Sequence, residues 1–461
     1  MRARLLSWWD SVRTSFWFVP ALMVVAAIGI SLAMIELDQL TGDHVMQNRQ
    51  WVWSGGPEGA RGLLSTIAGS MITVAGVVFS ITIVSLTLAS SQFGPRLLRN
   101  FISDKGNQLV LGTFVATFVY CLLVLRTVRG VGGVEFVPHV STTFALVLAL
   151  VNIGVLIYFI HHVATMIQAP YIIALVARDL DQSIDHMFPE QLGQSKAEPQ
   201  GHTAEPEMPD DFARRARAVR ANQEGYLQVI DADGLMRLAV QHDLLIVLRY
   251  RPDSFIVQGS EIMDVWPPER ASPAVTSQLS ETFIVGPTRT PMQDVEFAVR
   301  QLVEIAVRAL SPGINDPLTA MTCIDRLGAA LCRLAEREIP SPYRYDTEGT
   351  LRVVADAVTF KGVTDAAFNQ IRQYGRSSAA VAIRLLEMFA VVGARVHRKE
   401  DQVALRRQAL MVKRGSETAL PEEEDRKEVA QRYQTVLHVL LDDDALESDT
   451  IKRTTIQKEH V

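Results

Sequence analysis

Apolar residues fill the first third of the chain in four long runs. They lie near residues 16–36, 63–89, 108–126 and 138–160, and each reaches the roughly 20 residues that a membrane-spanning helix requires. The first run is followed by Glu36 and Asp38 without a small-residue cleavage pattern, so it predicts an uncleaved anchor and not a signal peptide. The pattern therefore predicts a transmembrane domain of four helices over residues 1–168.

The pattern becomes mixed after the fourth run. Residues 169–222 are predicted to form a juxtamembrane helix and a polar linker that is too poor in apolar residues to order itself. Residues 223–290 alternate apolar and polar positions between turn signals, which predicts a small α/β module. Within this module Asp231 is predicted to cap a short helix, and Phe255–Gly259 is predicted to form a hairpin with Ile262–Val265.

Helical spacing of apolar positions dominates residues 291–441 and predicts a cytoplasmic helical domain, followed by a polar tail over residues 442–461. One of its predicted helices covers Leu351–Val358. The predicted fold class is mainly α, with a four-helix transmembrane region followed by a small β-rich module and a cytoplasmic α-helical domain.

Charge and cysteine content narrow the function classes. Lysine and arginine favour the loops on one side of the spans, which predicts a multi-pass protein of the inner membrane with both termini in the cytoplasm. The net charge of -6 over 461 residues gives no electrostatic basis for binding nucleic acid. The three cysteines have neither zinc-site nor disulfide spacing, and no catalytic motif occurs, so no metal, cofactor or enzymatic activity is predicted.

Small and hydroxyl-bearing residues recur every three, four or seven positions along the second run. This stripe consists of Ser65, Gly69, Thr73, Gly76, Ser80 and Thr87. Two interpretations are open: the stripe packs closely against another helix, or it lines a pore in which hydroxyls replace part of an ion's hydration shell. Gln92, Arg96 and Arg99 follow it and predict either a cytoplasmic mouth or contacts with anionic lipid headgroups.

The segment Arg308–Pro317, which reads RALSPGINDP, joins two predicted helices. Gly313 is predicted to allow the reversal, and Asp316 is predicted to cap the second helix with Pro317 at its first position. Arg308 and Asn315 have no structural assignment in this corner. The candidates for a subunit interface or a ligand cleft are Arg289, Asp294, Arg308, Asn315 and Asp316.

Two blocks of the chain, Ser65–Phe101 and Arg308–Ala320, resemble one bacterial family of membrane proteins, catalogued as domain of unknown function 2254. The blocks Gly225–Leu235, Arg289–Ala306 and Phe368–Gly375 are similar to it as well. The resemblance covers nearly the whole chain apart from the linker and the tail. It implies an integral inner-membrane protein with four spans and a cytoplasmic region, and it implies no activity, ligand or catalytic residue.

The function that these features favour is a homo-oligomeric channel or passive transport protein. Several copies of the second span would line its path, and the cytoplasmic region would form a vestibule or gate. The expected partners are the lipid bilayer, further copies of the chain and an ion or small solute. The alternative is a membrane-anchored sensor or scaffold whose cytoplasmic helical domain binds a partner or a small ligand.

Overall fold

The computed structural model describes residues 15–46, 55–94, 101, 104–129, 136–188, 208–289 and 294–458. It confirms the predicted fold class: four long apolar helices come first, and a small sheet region and further helices follow. The chain divides into two compact units, Met1–Tyr171 and Ile172–Val461. We call the first the membrane unit and the second the polar unit.

Within the described residues of the membrane unit, four helices are long and apolar enough to cross a bilayer. They are α1 (Phe18–Met46), α2 (Pro57–Phe93), α3 (Lys105–Thr127) and α4 (His139–Met166). α3 packs against the other three helices, and 44% of its apolar window is buried, against 17% in each of the others. α3 is therefore the central helix of this unit.

Buried polar contacts fix the position of α4. Asp38 of α1 accepts hydrogen bonds from the amide of Val140 (2.8 Å) and from the amide and hydroxyl of Ser141 (2.9 and 2.5 Å). These amides begin a helix and have no partner within it, so Asp38 is a helix cap that a neighbouring helix supplies. Deeper in the unit, the Asn152 amide donates to the Thr117 hydroxyl at 2.8 Å and links α4 to α3.

Replacing Asp38 with alanine is expected to destabilise the membrane unit by about 2–4 kcal/mol, because two helix-start amides and a buried hydroxyl lose their acceptor. Asp38→Asn keeps one acceptor oxygen and should cost less. Circular dichroism of the full-length protein during titration of detergent micelles with SDS measures the loss of helix. Glu36→Ala, which removes a nearby exposed carboxylate, is the control. Equal midpoints for the two alanine variants would contradict the capping role of Asp38.

Helix α5 (Ala169–Met187) leads into the polar unit, and a short helix α6 (Phe212–Arg215) precedes its sheets. The strands are β1 (Arg217–Arg220), β2 (Gly225–Ile230), β3 (Leu245–Leu248), β4 (Phe255–Ile256), β5 (Glu261–Trp266), β6 (Phe283–Gly286), β7 (Tyr343–Tyr345) and β8 (Leu351–Val354). Helices α7 (Ala232–Gln241) and α8 (Pro273–Ser280) lie between strands. Asp231 caps α7 as predicted, since its Oδ1 accepts from the Gly234 amide at 3.0 Å.

The strands form two sheets, with the orders β1-β5-β3-β8-β7 and β4-β2-β6. Val353 of β8 lies opposite Ile246 of β3 in a parallel pair, so the predicted helix over Leu351–Val358 is wrong. The apolar run of β8 forms a strand because β3 offers it an unpaired edge. The predicted hairpin is also wrong, because β4 pairs with β2 whereas β5 pairs with β1 and β3.

The remaining helices pack on one another through apolar faces. They are α9 (Val295–Ala309), α10 (Pro317–Ala335), α11 (Phe360–Gly375), α12 (Ala379–Gly393), α13 (Lys399–Ala419) and α14 (Glu423–Lys458). Phe368 of α11 meets Phe389 of α12 edge to face, with ring centroids 5.0 Å apart. The backbone of α14 continues helically through most of the segment for which the sequence predicts a polar tail.

The corner between α9 and α10 follows the predicted capping with one correction. Asp316 Oδ1 accepts from the Thr319 amide at 3.1 Å, and Pro317 takes the first helical position. The left-handed backbone conformation, however, belongs to Asn315, with a φ of 52°, and not to Gly313. Asn315 therefore has a structural role, because asparagine tolerates this conformation better than most residues.

Candidate functional site

The predicted pore-lining stripe of α2 faces away from the membrane unit's own core. Its members Ser65, Gly69, Thr73, Gly76, Ser80 and Thr87 are all exposed. The opposite side of α2 carries the buried residues, among them Leu64, Ala75 and Val78. A Cβ added at Gly69 or Gly76 would meet no heavy atom within 4 Å. In the part of the chain that the structure describes, the stripe thus packs against no other helix.

The threonine hydroxyls of the stripe are bonded within α2 itself. Thr73 donates to the Gly69 carbonyl at 2.8 Å, and Thr87 donates to the Ile83 carbonyl at 2.9 Å. Such bonds let a hydroxyl face an apolar environment at low cost. The stripe is therefore compatible both with lipid and with another helix.

Helix α2 is longer than a bilayer requires. Its 37 residues span about 55 Å at about 1.5 Å per residue, against a hydrocarbon core of about 30 Å. Gln92, near the end of α2, is exposed. Arg96 and Arg99, the other residues predicted for a mouth or a headgroup contact, lie outside the described residues.

The polar unit contains a cavity of about 710 Å³, a size that suits a small organic molecule. Part of its lining is apolar and includes Phe188, Leu235, Met236 and Val353. The charged part comes from the β3–β4 turn, the segment after β6 and the first turn of α9. Its members include Arg251, Asp253, Arg289, Asp294, Glu296 and Arg300. We call this the ligand cavity.

A network of ion pairs holds two of the cavity's carboxylates. Glu296 accepts from Arg251 at 2.7 Å and from Arg300 at 2.8 Å. Arg300 also reaches Asp253 at 2.5 Å, and Arg289 Nε lies 3.0 Å from the other oxygen of Asp253. The side chains of Glu296 and Asp253 are only 7% and 9% exposed. Both carboxylates are thus neutralised by arginines that keep some contact with water.

Asp253 also has an uncommon backbone. Its φ is 78°, in the left-handed region that non-glycine residues seldom adopt. The amide of Asp253 donates to the Leu227 carbonyl at 2.9 Å, which holds the turn against β2. Strained positions of this kind concentrate at functional sites, where the surrounding structure enforces them.

Asp294 differs from these two carboxylates because it has no ion pair with any described residue. Its Oδ1 caps α9 by accepting from the Glu296 amide at 2.8 Å. Its Oδ2 is buried and has no hydrogen-bond partner among the described residues. Burial raises the pKa of Asp294 to about 7, and the negative charges of Asp253 and Glu296 add to this shift. The cavity wall therefore presents a carboxyl that is ionised only in part near neutral pH.

The residues predicted for an interface or cleft do not form one site. Arg289 and Asp294 line the ligand cavity. Arg308 lies at the other end of α9, about 20 Å along the helix axis from Asp294. Asn315 and Asp316 shape the corner beyond it.

Sequence reasoning missed the partners that complete this charged wall. Glu296 and Arg300 are four residues apart on α9, and this spacing is a signal that indicates a helical ion pair. Arg251 and Asp253 belong to a segment that the sequence identifies only as a turn. Their approach to α9 depends on tertiary structure, and no local pattern predicts it.

Four membrane-length helices and a separate unit with a ligand-sized cavity define a multi-span membrane protein with an α/β and helical polar part. The chain belongs to the family described as predicted membrane protein (DUF2254), whose model matches residues 13–391. The resemblance seen in the sequence blocks is thereby confirmed.

Relatives of the chain are found in mycobacteria. It is similar to uncharacterised proteins of Mycobacterium bovis and Mycobacterium tuberculosis, each 33% identical over 422 residues. These matches cover 90% of this chain and 79% of each relative. No solved structure matches the chain.

Proposed function

We propose that this membrane protein is a sensor that binds a small amphipathic amine in the ligand cavity while its spans anchor it in the bilayer. The observation that carries this proposal is Asp294, which lines a 710 Å³ cavity and whose buried Oδ2 has no donor among the described residues. A protonated amine supplies both a donor and a positive charge. Charge-assisted hydrogen bonds of this kind are about twice as strong as neutral ones.

The neighbouring charges favour Asp294 as the point of recognition. Asp253 and Glu296 already hold arginines, so they have less to gain from a ligand. The pKa of Asp294 is raised by burial and by these two carboxylates, and a cationic nitrogen relieves both effects. Leu235, Met236 and other apolar lining residues supply a surface for a hydrocarbon or aromatic body. The combination favours an amine with an apolar body over a sugar or a polyanion.

Isothermal titration of the full-length protein in nanodiscs tests this function with phenethylamine and its neutral analogue phenylethyl alcohol. The amine is expected to bind at least about tenfold more tightly than the alcohol. Its affinity should rise between about pH 6 and pH 8, because ionised Asp294 is the form that binds the amine.

Two variants locate the site. Asp294→Asn should weaken amine binding by about tenfold or more and remove its pH dependence. Asp233→Asn removes the same charge from an exposed residue of the cavity lining and should change little. Equal affinities for the amine and the alcohol, or an unchanged amine affinity in Asp294→Asn, would count against the sensor.

A second function, a homo-oligomeric channel or passive transport protein, is favoured by the outward-facing stripe of α2. Glycine and hydroxyl positions offer little surface to lipid tails, whereas they let a second helix approach closely. Around a symmetry axis, several copies would turn the same stripe toward a common path. Hydroxyls such as those of Ser80 and Thr73 would then face the permeating ion or solute.

The variant Gly76→Leu tests whether α2 mediates assembly without disturbing the folding of the membrane unit. The membrane unit should keep its stability, because no atom lies within 4 Å of the added Cβ, while the oligomer should dissociate. Native mass spectrometry from nanodiscs measures the number of copies, and Val77→Leu adds bulk beside the stripe as the control. A monomeric wild-type protein would exclude this function. An oligomer that carries no current in planar bilayers would exclude a conducting path along the stripe, but it would still support assembly through α2.

We also propose that the protein spans the inner membrane with both termini in the cytoplasm. The lysine and arginine bias of the short loops supports this orientation. A green fluorescent protein fused to the C-terminus should fluoresce, and an alkaline phosphatase fused there should be inactive. The opposite pair of results would reverse the orientation.

A further inference from the structure

A small cavity lies where the end of α11, the face of α12 and the last turns of α13 meet in the polar unit. Its volume is about 130 Å³, roughly that of four water molecules at about 30 Å³ each. Arg372 lines it from α11 and Arg376 from the residue directly after this helix, and Gly415 and Ser416 line it from α13. No carboxylate belongs to its lining among the described residues. We call it the arginine cavity, and its residues are separate from those of the ligand cavity.

The polar groups of the arginine cavity are donors that have not found acceptors. Arg372 Nε is buried and has no hydrogen-bond partner within the described parts of the chain. The Ser416 hydroxyl is also buried without a hydrogen-bond partner among the described residues, and the whole residue is only 1% exposed. Arg376 has no ion pair with any described residue. Buried donors without acceptors are uncommon in folded proteins and indicate a missing partner.

The charges around the arginine cavity indicate that the missing partner is an anion. The carboxylate of Asp365 acts electrostatically on Arg372, but its Oδ1 already accepts hydrogen bonds from Arg407 and, at 2.7 Å, from Gln408. Burial lowers the pKa of Arg372, and the positive charge of Arg407 lowers it further. The negative charge of Asp365 opposes these two effects without cancelling them, so the chain compensates the charge of this guanidinium only in part.

Arginines near the end of α11 also complement the negative end of that helix's dipole. This interaction explains why positively charged side chains are favourable at the end of α11. It does not account for the Arg372 Nε and the Ser416 hydroxyl, which are buried without acceptors and belong to different helices. These two donors come from separate elements that line one cavity, and a ligand that accepts from both would satisfy them.

We infer that the arginine cavity binds a phosphate-type oxyanion. A tetrahedral oxyanion offers several acceptor oxygens, matches the planar donor fork of arginine and fits a volume of about 130 Å³. A nucleoside or a sugar attached to the phosphate would have to extend out of the cavity. Inorganic phosphate and the phosphomonoester headgroup of a lipid share the chemistry that these residues recognise. The inference is independent of the proposed amine sensor.

Equilibrium dialysis of the full-length protein in dodecyl maltoside micelles against radiolabelled inorganic phosphate tests the site. Binding is expected in phosphate-free buffer at fixed ionic strength, and sulfate should compete whereas chloride should not. Arg372→Gln should weaken the affinity for phosphate by about tenfold or more, and Ser416→Ala should weaken it by a smaller factor.

Arg414→Gln is the matched control, because Arg414 is an exposed arginine next to Gly415 that does not line the cavity. Equal losses in Arg414→Gln and Arg372→Gln would reduce the effect to general surface charge and overturn the inference. The inference would also be overturned if neither Ser416→Ala nor Arg372→Gln changed the affinity for phosphate. Ser416→Ala removes only a hydroxyl, so it keeps the test decisive if Arg372→Gln fails to fold.

A second arm identifies the source of the phosphate group. Micelles doped with short-chain phosphatidic acid should displace radiolabelled phosphate if a lipid headgroup is the natural occupant. Free phosphate that remains bound in these micelles assigns the site to a soluble anion. Absence of binding in both arms would overturn the inference.

Discussion

Replacing Glu296 with alanine is expected to lower the free energy of unfolding of the polar unit by about 2–4 kcal/mol. Glu296 accepts from Arg251 and Arg300 through its two oxygens while its own side chain is nearly buried. Its removal leaves two guanidinium groups beside the ligand cavity without this partner. The expected loss lies somewhat below the range of about 3–5 kcal/mol for fully buried pairs, because both arginines retain contact with water.

Glu269→Ala is the matched control for this prediction. Glu269 pairs with Arg215 at 2.5 Å, but its side chain is 62% exposed, so its loss should cost no more than about 1 kcal/mol. Urea unfolding of the full-length protein in micelles, followed by tryptophan fluorescence, compares the two variants. Similar losses would mean that the network around Glu296 contributes no more than a surface ion pair.

Asp294→Asn is expected to change the pH dependence of stability more than any other single substitution in the ligand cavity. The folded protein keeps a proton on Asp294 up to about pH 7, whereas the unfolded carboxyl releases it near pH 4. The folded state therefore binds more protons in this window, and the contribution of Asp294 to stability falls as pH rises from about 4 to about 7. Asparagine does not titrate, and its amide oxygen can still cap α9.

The stability of Asp294→Asn relative to wild type should thus increase by up to about 4 kcal/mol between pH 4 and pH 7, at about 1.4 kcal/mol for each unit of pKa shift. Urea midpoints of both proteins across this range measure the difference, and titrating groups that do not interact with Asp294 cancel. A difference that stays constant with pH would show that folding does not raise the pKa of Asp294. Asp233→Asn, at an exposed position, should show no such trend.

Features that depend on local sequence were predictable. A run of about 20 apolar residues spans a bilayer whatever its neighbours are, and the four spans follow directly from this rule. The caps at Asp231 and Asp316 were equally predictable, since each carboxylate bonds an amide three residues ahead in its own helix start.

Features that depend on partners distant in sequence were not predictable. Leu351–Val354 has the composition of either a short helix or a strand, and the free edge of β3 decides in favour of the strand. The sequence predicts a helix and a linker over the region that contains Arg217–Arg220, yet these residues form an edge strand because β5 pairs with them. Asn315, and not Gly313, adopts the left-handed conformation in the corner, because the path of the chain between α9 and α10 determines which residue must adopt it.

The candidate sites show the same division between features set by local sequence and features set by distant partners. The sequence by itself determined that the chain has four spans and a hydroxyl stripe on the second span, since each is a short-range pattern. Only the tertiary structure decided that the stripe faces outward and that Asp253 and Arg251 meet Glu296, Arg300 and Asp294 at one cavity. The reason is physical: helical periodicity fixes which residues share a face, but packing between distant elements fixes what that face meets and which buried charges remain without partners.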